Sequence, residues 1–372
     1  MPLVQRTALA LLLVSALRAQ DCQSEPKIRT TEAGVKFVRT PENCFKVVRD
    51  FPYKPKYVAI DGLRQAYIDE GPRNADPILL LHGEPSWSYL YRKMIPVLVA
   101  KGHRVIAMDH LGMGRSDKPV EIAYYTYLGH AGRLEKFIQE LKLEHITLFC
   151  QDWGSLIGLR VAGEHPDWFA RIVVGDGALP VFPAGMKPFS APKDPDVIDE
   201  SIPSPFANIP AQQVPFYDAD GRLLPGVAAA DFAKWMNYAM KSPKFRASEV
   251  LEALTWFPLS ERTKAAYDAP FPRREYMAGA RAFPSIVNQL GGTNLKAWDG
   301  LRHFEKPFLT IWSANDPANL GTKAMQQNLI DNVPGARGQP HARLAEASHF
   351  LQDDQGAEIA RRVNQFIEKN PR

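Results

Sequence analysis

The sequence predicts an α/β fold, in which helices cover both faces of a mostly parallel central sheet and a helical cap is inserted into the chain. Two observations predict it. Short apolar runs of strand length recur along the sequence, and segments with helical periodicity lie between some of them. Strands that alternate with helices form parallel sheets that are covered on both faces. The alternation then stops between about residues 183 and 285, which indicates the insertion.

The strands are predicted from runs rich in branched and aromatic residues. These runs are Tyr57–Ile60, Ile78–His82, Arg104–Asp109, Ile146–Gln151, Ile172–Gly175, Phe308–Ser313 and Ala342–Ala347. One helix is predicted where Leu134, Phe137, Ile138 and Leu141 recur at i, i+3, i+4 and i+7. A second helix is predicted to start after Trp153 and to end near Pro166.

The interruption at 183–285 is rich in proline and aromatic residues and shows no clear strand. We interpret it as a helical cap domain between two parts of the core domain, at 46–182 and 286–372. An insertion after a mid-sheet strand lies over the carboxyl ends of the strands, where open α/β sheets bind ligands. The alternative is a subdomain without a role in binding, but the aromatic content favours a lid over a substrate.

Length and charge limit the functional classes. The chain has 372 residues, 45% of them hydrophobic, which suffices for one large core with an inserted domain. Its net charge is +4, from 45 basic and 41 acidic residues, and no dense block of Lys or Arg occurs. Nucleic acid is therefore not an expected partner.

Residues 1–20 are predicted to be a signal peptide. Arg6 supplies a positive charge, Thr7–Leu17 is a stretch of small and apolar residues, and Ala19 is a possible cleavage-site residue. The stretch is too short to span a bilayer comfortably, so no stable membrane span is expected. A buried helix or an uncleaved anchor is the alternative. The segment predicts a secreted or periplasmic protein, and without it the location would be cytoplasmic.

The chain has three cysteines. Cys22 and Cys44 lie in an N-terminal extension, residues 21–45, and an exported protein would allow them to pair. Two free thiols are the alternative. Cys150 lies in a predicted strand and is interpreted as a small buried hydrophobic residue.

The segment from Cys150 to Ser155 follows a strand and opens a helix, which is typical of a nucleophile elbow. Asp152 occupies the position that usually holds a serine. A carboxylate is ionised near neutral pH and can attack an alkyl carbon directly, forming an ester that must then be hydrolysed. Ser155 is the alternative nucleophile, but its place in the first turn of the helix favours capping or packing.

Hydrolysis of an ester requires a base, and His349 follows the last predicted strand, as expected when the nucleophile precedes the histidine. A carboxylate must orient the imidazole. Asp316 follows the penultimate strand and is our first choice, and Asp176, after the strand that follows the elbow helix, is the alternative. The backbone N–H groups of Glu84 and Trp153 are predicted to form the oxyanion hole.

The sequence resembles the haloalkane dehalogenases of the α/β-hydrolase superfamily from about residue 37 to the C-terminus. The stretches that carry the resemblance are His82–Arg92, Gln151–Ser155, Ala269–Pro272 and Ser348–Phe350. It is closest to the subfamily with Glu after His-Gly and an acid after the penultimate strand. That subfamily usually has an asparagine at the position of Asp176, so the aspartate here is a departure that leaves the identity of the acid open.

The resemblance implies hydrolytic dehalogenation of haloalkanes to a primary alcohol and halide, through an alkyl ester on Asp152. It implies that Trp153 and Trp235 bind the halide and that Phe232 and Trp256 line the substrate pocket. No cofactor and no metal are implied, and the implied partners are a small halogenated alkane and a halide ion.

Two other functions are compatible with these motifs. An epoxide hydrolase would share the aspartate nucleophile and would use lid tyrosines, for which Tyr217, Tyr238 and Tyr267 are candidates. A ligand-binding or luciferase-like relative is the other alternative, and an intact set of Asp152, His349 and an acid argues against a pure binder.

Overall fold

The computed structural model describes residues 22, 24–207, 209, 213, 215, 218, 231–317 and 320–371. The predicted signal peptide, residues 1–20, lies outside the described residues. In the part of the chain that is described, no helix combines the length and the apolar character needed to cross a membrane.

Eleven strands are described, and they form two sheets. In chain order they are β1 Arg29–Thr30, β2 Lys36–Val38, β3 Lys56–Ile60, β4 Leu63–Glu70, β5 Pro77–Leu81, β6 Arg104–Met108, β7 Lys118–Pro119, β8 Ile146–Gln151, β9 Phe169–Gly175, β10 Phe308–Ser313 and β11 Ala342–Leu344. The large sheet has eight strands in the order β11-β10-β9-β8-β5-β6-β4-β3. All neighbours from β11 to β6 are parallel, and β4 and β3 are antiparallel additions at one side.

The register of the parallel strands brings the segments with the candidate site residues to one edge of the sheet. Leu81 pairs with Cys150, and Gln151 pairs with Gly175. The chain segments that follow β5, β8 and β9 therefore leave the sheet side by side. They carry Glu84, Asp152 and Asp176, respectively, each within three residues of the end of its strand.

Ten α-helices are described. They are α1 Ile95–Val99, α2 Tyr127–Glu140, α3 Trp153–Glu164, α4 Phe232–Lys241, α5 Ala247–Ala253, α6 Glu261–Asp268, α7 Ala278–Ala282, α8 Leu295–Arg302, α9 Lys323–Asn332 and α10 Leu351–Lys369. Helix α3 contacts α2 and α8, whereas α10 contacts α1. The predicted mostly parallel sheet with accompanying helices is confirmed.

Three details of the predicted large sheet were wrong. Strand β4 was missed because it has no apolar run, and its fully buried Gln65 is paired with the backbone carbonyl of Asp109. Strand β9 starts at Phe169, three residues before the predicted start at Ile172. The prediction began too late because Arg171, which is buried, interrupts the apolar pattern in the sequence. Strand β11 ends at Leu344 rather than at Ala347.

The start of the predicted helical cap also differs from expectation. Residues 183–207 contain neither helix nor strand, and the described helices of this region, α4 to α7, begin at Phe232. Six prolines between 183 and 207 explain the difference, because proline lacks the backbone N–H and clashes with the preceding turn. The domain boundaries at 182/183 and 285/286 stay predictions.

The N-terminal extension is attached to the rest of the molecule in two ways. Cys22 and Cys44 form a disulfide, with their Cα atoms 5.3 Å apart. In addition, β2 pairs with both β1 and β7 in a small antiparallel sheet. The third cysteine, Cys150, is buried as expected.

Candidate active site

Asp152 lies on the sharp turn between β8 and α3. Its φ of 50° and ψ of −131° are unusual for a residue with a side chain, and such a conformation costs about 1–3 kcal/mol. Close packing of two glycines accompanies the turn. A Cβ on Gly83 would lie 2.3 Å from Oδ1 of Asp152, and one on Gly154 would lie 2.1 Å from the carbonyl oxygen of Leu81. The elbow therefore presents a carboxylate in the place and geometry predicted for the nucleophile.

One of the two predicted oxyanion-hole donors already binds this carboxylate. The backbone N–H of Glu84 donates to Oδ1 of Asp152 over 2.8 Å. Trp153 is the first residue of α3, so its N–H lies in the first turn, where backbone donors have no partner within the helix. Negative charge on the Asp152 oxygens is thus met by backbone dipoles.

His349 lies between Asp152 and Asp316. Its Nδ1 is 2.8 Å from Oδ2 of Asp316, and its Nε2 is 3.4 Å from Oδ2 of Asp152. The histidine is 3% exposed and the Asp316 side chain is fully buried. The structure therefore brings the three residues together in the order nucleophile, imidazole, acid.

The two carboxylates set the protonation of the imidazole. Burial disfavours the charged ring, but Asp316 and Asp152 outweigh burial, and the pKa of His349 lies well above its ordinary value. The contribution of Asp152 depends on its negative charge. Any reaction that neutralises Asp152 therefore lowers the pKa of His349. The ring can then lose its proton, and its neutral Nε2 can act as a base.

Asp176, the alternative acid, makes no hydrogen bond to the imidazole in the described part of the chain. Its Oδ1 accepts a hydrogen bond from the backbone N–H of Ser313 over 2.8 Å, and its Oδ2 is buried without a partner among the described residues. Burial, and then the charge of Asp316, raise the pKa of Asp176 to about 8. The geometry therefore favours Asp316 as the partner of the histidine.

A cavity of about 410 Å³ opens in front of these groups. Glu84, Asp152, Trp153 and His349 contribute to its wall. Most of the remaining wall is apolar, and its members include Leu156, Phe182, Phe189, Phe206, Phe232, Trp235, Val250, Leu254 and Val287. The site suits a small apolar molecule with one reactive carbon facing Asp152.

Comparison with known proteins identifies the family. A family model described as alpha/beta hydrolase fold matches residues 76–328. A haloalkane dehalogenase of Psychrobacter cryohalolentis is 40% identical over 348 residues, which cover 91% of this chain and 100% of that protein. One of Mycobacterium marinum is 43% identical over 336 residues, which cover 88% of this chain and 98% of that protein. The chain belongs to the haloalkane dehalogenase family.

Solved structures agree with this assignment. A haloalkane dehalogenase of Paraglaciecola agarilytica has a TM-score of 0.68 and is 29% identical, covering 88% of this chain and 97% of that one. A dehalogenase variant of Bradyrhizobium elkanii, at 22% identity and a TM-score of 0.63, shows the same fold. The predicted α/β-hydrolase fold and the predicted haloalkane dehalogenase family, a family of hydrolases, are confirmed.

The two tryptophans predicted to bind halide in this dehalogenase differ from its other buried tryptophans. The indole N–H groups of Trp87, Trp298 and Trp312 each donate to a backbone carbonyl, over 3.2, 2.7 and 2.8 Å. Trp153 and Trp235 are also buried and line the cavity, but their indoles have no acceptor among the residues that the structure describes. Both indoles are therefore available to an anion in the cavity.

The predicted pocket residues Phe232 and Trp256 have different outcomes. Phe232 lines the dehalogenase cavity, whereas Trp256 is not part of its described wall. The backbone N–H groups of Trp256 and Phe257 bind the carboxylate of Asp354, over 2.9 and 3.0 Å, and this fixes the turn so that Leu254 faces the cavity instead. The expectation that Trp256 lines the substrate pocket stays a prediction.

Two features of the site were not predicted. The Gln151 amide donates to the backbone carbonyl of His349 over 3.0 Å and lies 3.3 Å from its Nε2, so it holds the histidine loop against β8. Met325 and Leu320, which follow the penultimate strand, also line the cavity. Gln151 was visible as the neighbour of the nucleophile, but nothing in the sequence indicated what its side chain contacts. Ser155 has the structural role expected, since its hydroxyl donates to the carbonyl of Asp152 over 2.6 Å.

Within the described part of the chain, no three His, Cys, Asp or Glu side chains are grouped as a metal ion would need. The expectation that neither metal nor cofactor takes part stays a prediction.

Proposed function

We propose that this protein hydrolyses small haloalkanes to alcohol and halide, with Asp152 as nucleophile, His349 as base and Asp316 as the acid that orients it. The observation that carries the proposal is the buried sequence of contacts from Asp152 through His349 to Asp316, facing an apolar cavity. The indole N–H groups of Trp153 and Trp235, which have no acceptor among the described residues, supply the donors that a departing halide requires.

In the first step, a carboxylate oxygen of Asp152 attacks the carbon that bears the halogen. The carbon–oxygen bond forms as the carbon–halogen bond breaks, and the electron pair leaves with the halide. Hydrogen bonds to an ion are worth about 1.5–3 kcal/mol each, so two indole donors favour this departure by several kcal/mol. The apolar wall excludes water, which strengthens these interactions.

In the second step, water attacks the carbonyl carbon of the ester and gives a proton to Nε2 of His349. Asp152 no longer carries a charge at this stage, so the pKa of His349 is lower than in the free enzyme, and the neutral base becomes accessible. The Glu84 N–H stabilises the oxyanion. Collapse returns that proton to the leaving alkoxide, and the regenerated carboxyl group of Asp152 releases the second proton of the water. Overall, one alkyl halide and one water give an alcohol, a halide and a proton.

The described lid tyrosines do not support epoxide hydrolysis. The hydroxyl of Tyr238 donates to Glu249 over 2.7 Å, and that of Tyr267 donates to Asp353. Neither tyrosine belongs to the described wall of the cavity, so neither is placed to protonate an epoxide oxygen. The third candidate, Tyr217, lies outside the described residues.

Bromide release from 1,2-dibromoethane, compared with diol formation from styrene oxide, tests the proposed function. We expect bromide release and little diol from the wild type. His349→Gln is expected to stop after the first step, because water then has no base, and intact mass spectrometry should show one bromoethyl group on the protein.

Asp152→Asn is the matched control, since the amide keeps the shape of the side chain but cannot form the ester. It should show neither bromide release nor added mass. Diol formation without bromide release by the wild type would contradict dehalogenation, and an unmodified His349→Gln protein after bromide release would contradict the covalent route.

Export from the cytoplasm is the second part of the proposal. The disulfide between Cys22 and Cys44 supports it, because such bonds persist in oxidising compartments and are rare in the cytosol. The apolar stretch within residues 1–20 supports it as well.

A further inference from the structure

Arg281 is a buried cation whose guanidinium joins two separate segments of the backbone. It lies in α7 and is only 9% exposed. Its Nε donates to the carbonyl oxygen of Met240 over 3.0 Å, and its Nη2 donates to that of Pro195 over 3.1 Å. A buried charge is costly even when it is hydrogen-bonded, which indicates that the link between these two segments has a role.

The carboxyl end of α4 is bound by two arginines. Arg274 donates to the same Met240 carbonyl over 2.9 Å and to the carbonyl of Ser242 over 3.0 Å. Burial, and then the charge of Arg274, lower the pKa of Arg281 to about 10, and Asp196 acts in the opposite direction. Arg281 is therefore still charged at neutral pH, and both cations meet the negative end of the helix dipole. Of the two, Arg281 also binds the chain segment at Pro195.

The two segments that Arg281 joins both contribute aromatic side chains to the cavity. Residues 183–207, which contain neither helix nor strand, supply Phe189 and Phe206 to its wall, and α4 supplies Phe232 and Trp235. The ring of Phe206 lies edge-on to the indole of Trp235, with centroids 5.2 Å apart, and Phe189 lies 4.9 Å from Phe232. The position of the Trp235 indole therefore depends on how residues 183–207 lie relative to α4.

We propose that Arg281 positions Trp235 for halide binding, by holding residues 183–207 against the carboxyl end of α4. The inference rests on the proposed function and assigns a positioning residue to its first step. Arg281 does not belong to the described wall of the cavity, so it acts through Trp235. Hydrolysis of the ester uses His349 and the Glu84 N–H, and it should not depend on Arg281.

The other described links between residues 183–207 and this end of α4 are weaker. The backbone N–H of Asp199 donates to the carbonyl of Lys241 over 3.2 Å. The ammonium of Lys244 donates to the carbonyl of Glu200 over 3.0 Å, but this contact is exposed, so water can replace it. The buried guanidinium has no such replacement, and this makes Arg281 the residue to change.

The test compares Arg281→Met with the wild type in halide binding and in the two chemical steps. Titration with sodium bromide, followed by tryptophan fluorescence, gives the dissociation constant of bromide. Rapid mixing with 1,2-dibromoethane and intact mass spectrometry of quenched samples give the rates at which the ester forms and disappears. We expect bromide to bind about tenfold more weakly, the ester to form about tenfold more slowly, and its hydrolysis to stay within about twofold.

Arg274→Met is the matched control, because it removes a cation from the same Met240 carbonyl and leaves the link to Pro195 intact. Its bromide affinity and its rate of ester formation should stay within about twofold of the wild type. Losses equal to those of Arg281→Met would mean that capping of α4, rather than the link to residues 183–207, is what matters, and they would overturn the proposal.

Arg281→Lys separates geometry from charge, and it is also the variant to use if Arg281→Met does not fold. Lysine keeps the positive charge, but its single nitrogen cannot replace the two separate nitrogens that reach Met240 and Pro195. We expect bromide binding to be weakened at least about threefold in this variant. Wild-type bromide affinity in Arg281→Lys would show that the charge suffices, which contradicts a positioning role.

A double-mutant cycle with Trp235→Phe tests whether Arg281 acts through this indole. Once the indole N–H is absent, Arg281→Met should slow ester formation by no more than about twofold further, because effects that share one path are not additive. Full additivity would overturn the proposal, as would an equal loss in ester formation and ester hydrolysis in Arg281→Met alone. Absence of any ester or bromide release from the wild type would instead contradict the proposed function itself.

Discussion

Asp176 shows how much a single buried carboxyl group can change the properties of a site. Asp316 accepts from the ring of His349, while Asp176 binds the backbone of Ser313 and leaves one oxygen without a partner among the described residues. Burial and the neighbouring Asp316 raise the pKa of Asp176 to about 8. We therefore expect Asp176 to be neutral at pH 7.

Asp176→Asn is expected to change how the free energy of unfolding depends on pH. Between pH 4 and 8 the folded wild type keeps a proton that the unfolded chain has lost, so its stability falls with rising pH by up to about 1.4 kcal/mol per unit. Asparagine does not titrate and lacks this decline. Urea unfolding at pH 6, 7 and 8 should show the variant gaining stability relative to the wild type at each step, and a constant difference would contradict a raised pKa.

The activities of Asp176→Asn and Asp316→Asn separate the two acids. Loss of the carboxylate that orients a catalytic histidine reduces turnover by up to about 10⁴-fold, and we expect a loss of this order for Asp316→Asn. Asp176→Asn should keep turnover within about tenfold at pH 7, where the wild-type group is already uncharged. The opposite ranking would make Asp176 the working acid.

The position of the candidate site residues could be predicted because they follow strands. Asp152, His349 and Asp316 each come shortly after a strand, and strand ends converge at one edge of a parallel sheet. The orientation of Trp256 and of the Glu84 carboxyl group could not be predicted. Both depend on contacts between segments far apart in the chain, such as the 98 residues that separate Trp256 from Asp354.

At the scale of elements, Asp354 connects the histidine loop to the cap. Its carboxylate lies in the first turn of α10 and accepts from the backbone N–H of Ser348 over 2.9 Å. The same group accepts from Trp256 and Phe257 in the turn after α5. One side chain therefore fixes both the residue before His349 and the turn that supplies Leu254 to the cavity wall.

Removal of this connection should affect both stability and turnover. Asp354→Ala leaves three backbone N–H groups without their acceptor, and we expect the free energy of unfolding to fall by about 3 kcal/mol. The histidine loop then loses a fixed position, so kcat should fall more than the affinity for substrate. Chemical unfolding and steady-state kinetics measure the two effects.

Asp354→Asn is the matched control, since the amide keeps one acceptor oxygen and the same shape. It is expected to lie between the wild type and Asp354→Ala in both measurements. Equal stability and equal kcat in all three proteins would mean that the turn and the loop hold their positions without Asp354.

Elements were predictable where the hydrophobic pattern agreed with burial. Strand β5 is apolar and buried throughout, and it was found within one residue of its bounds. Strand β4 was missed because its inward-facing Gln65 looks like a surface residue until its partner, the Asp109 carbonyl, is known. In residues 183–207 the prolines prevent the helices that were predicted from the absence of clear strands.

At the scale of the whole molecule, the N-terminal extension is held by covalent and noncovalent contacts. The disulfide closes a loop with a sequence separation of 22 residues. The 3₁₀ helix Glu42–Val47, which contains Cys44, contacts α6. Phe45 from this segment is buried in the main core and lies edge-on to Trp87, with ring centroids 5.6 Å apart. The disulfide therefore stabilises a segment that is part of the core.

Removing the disulfide is expected to lower stability without altering the site. In the chain-entropy model, a loop of this size contributes about 3 kcal/mol to the free energy of unfolding. The paired variant Cys22→Ser/Cys44→Ser should therefore unfold at a lower urea concentration than the oxidised wild type, while bromide release at 25 °C stays unchanged. The wild type treated with dithiothreitol is the control, because reduction should bring it to the same midpoint as the variant. If the oxidised wild type and the variant unfold at the same urea concentration, the disulfide contributes nothing to stability. The variant has no bond between these positions, so dithiothreitol should not change its midpoint. If dithiothreitol does lower it, the effect of reduction does not come from Cys22 and Cys44.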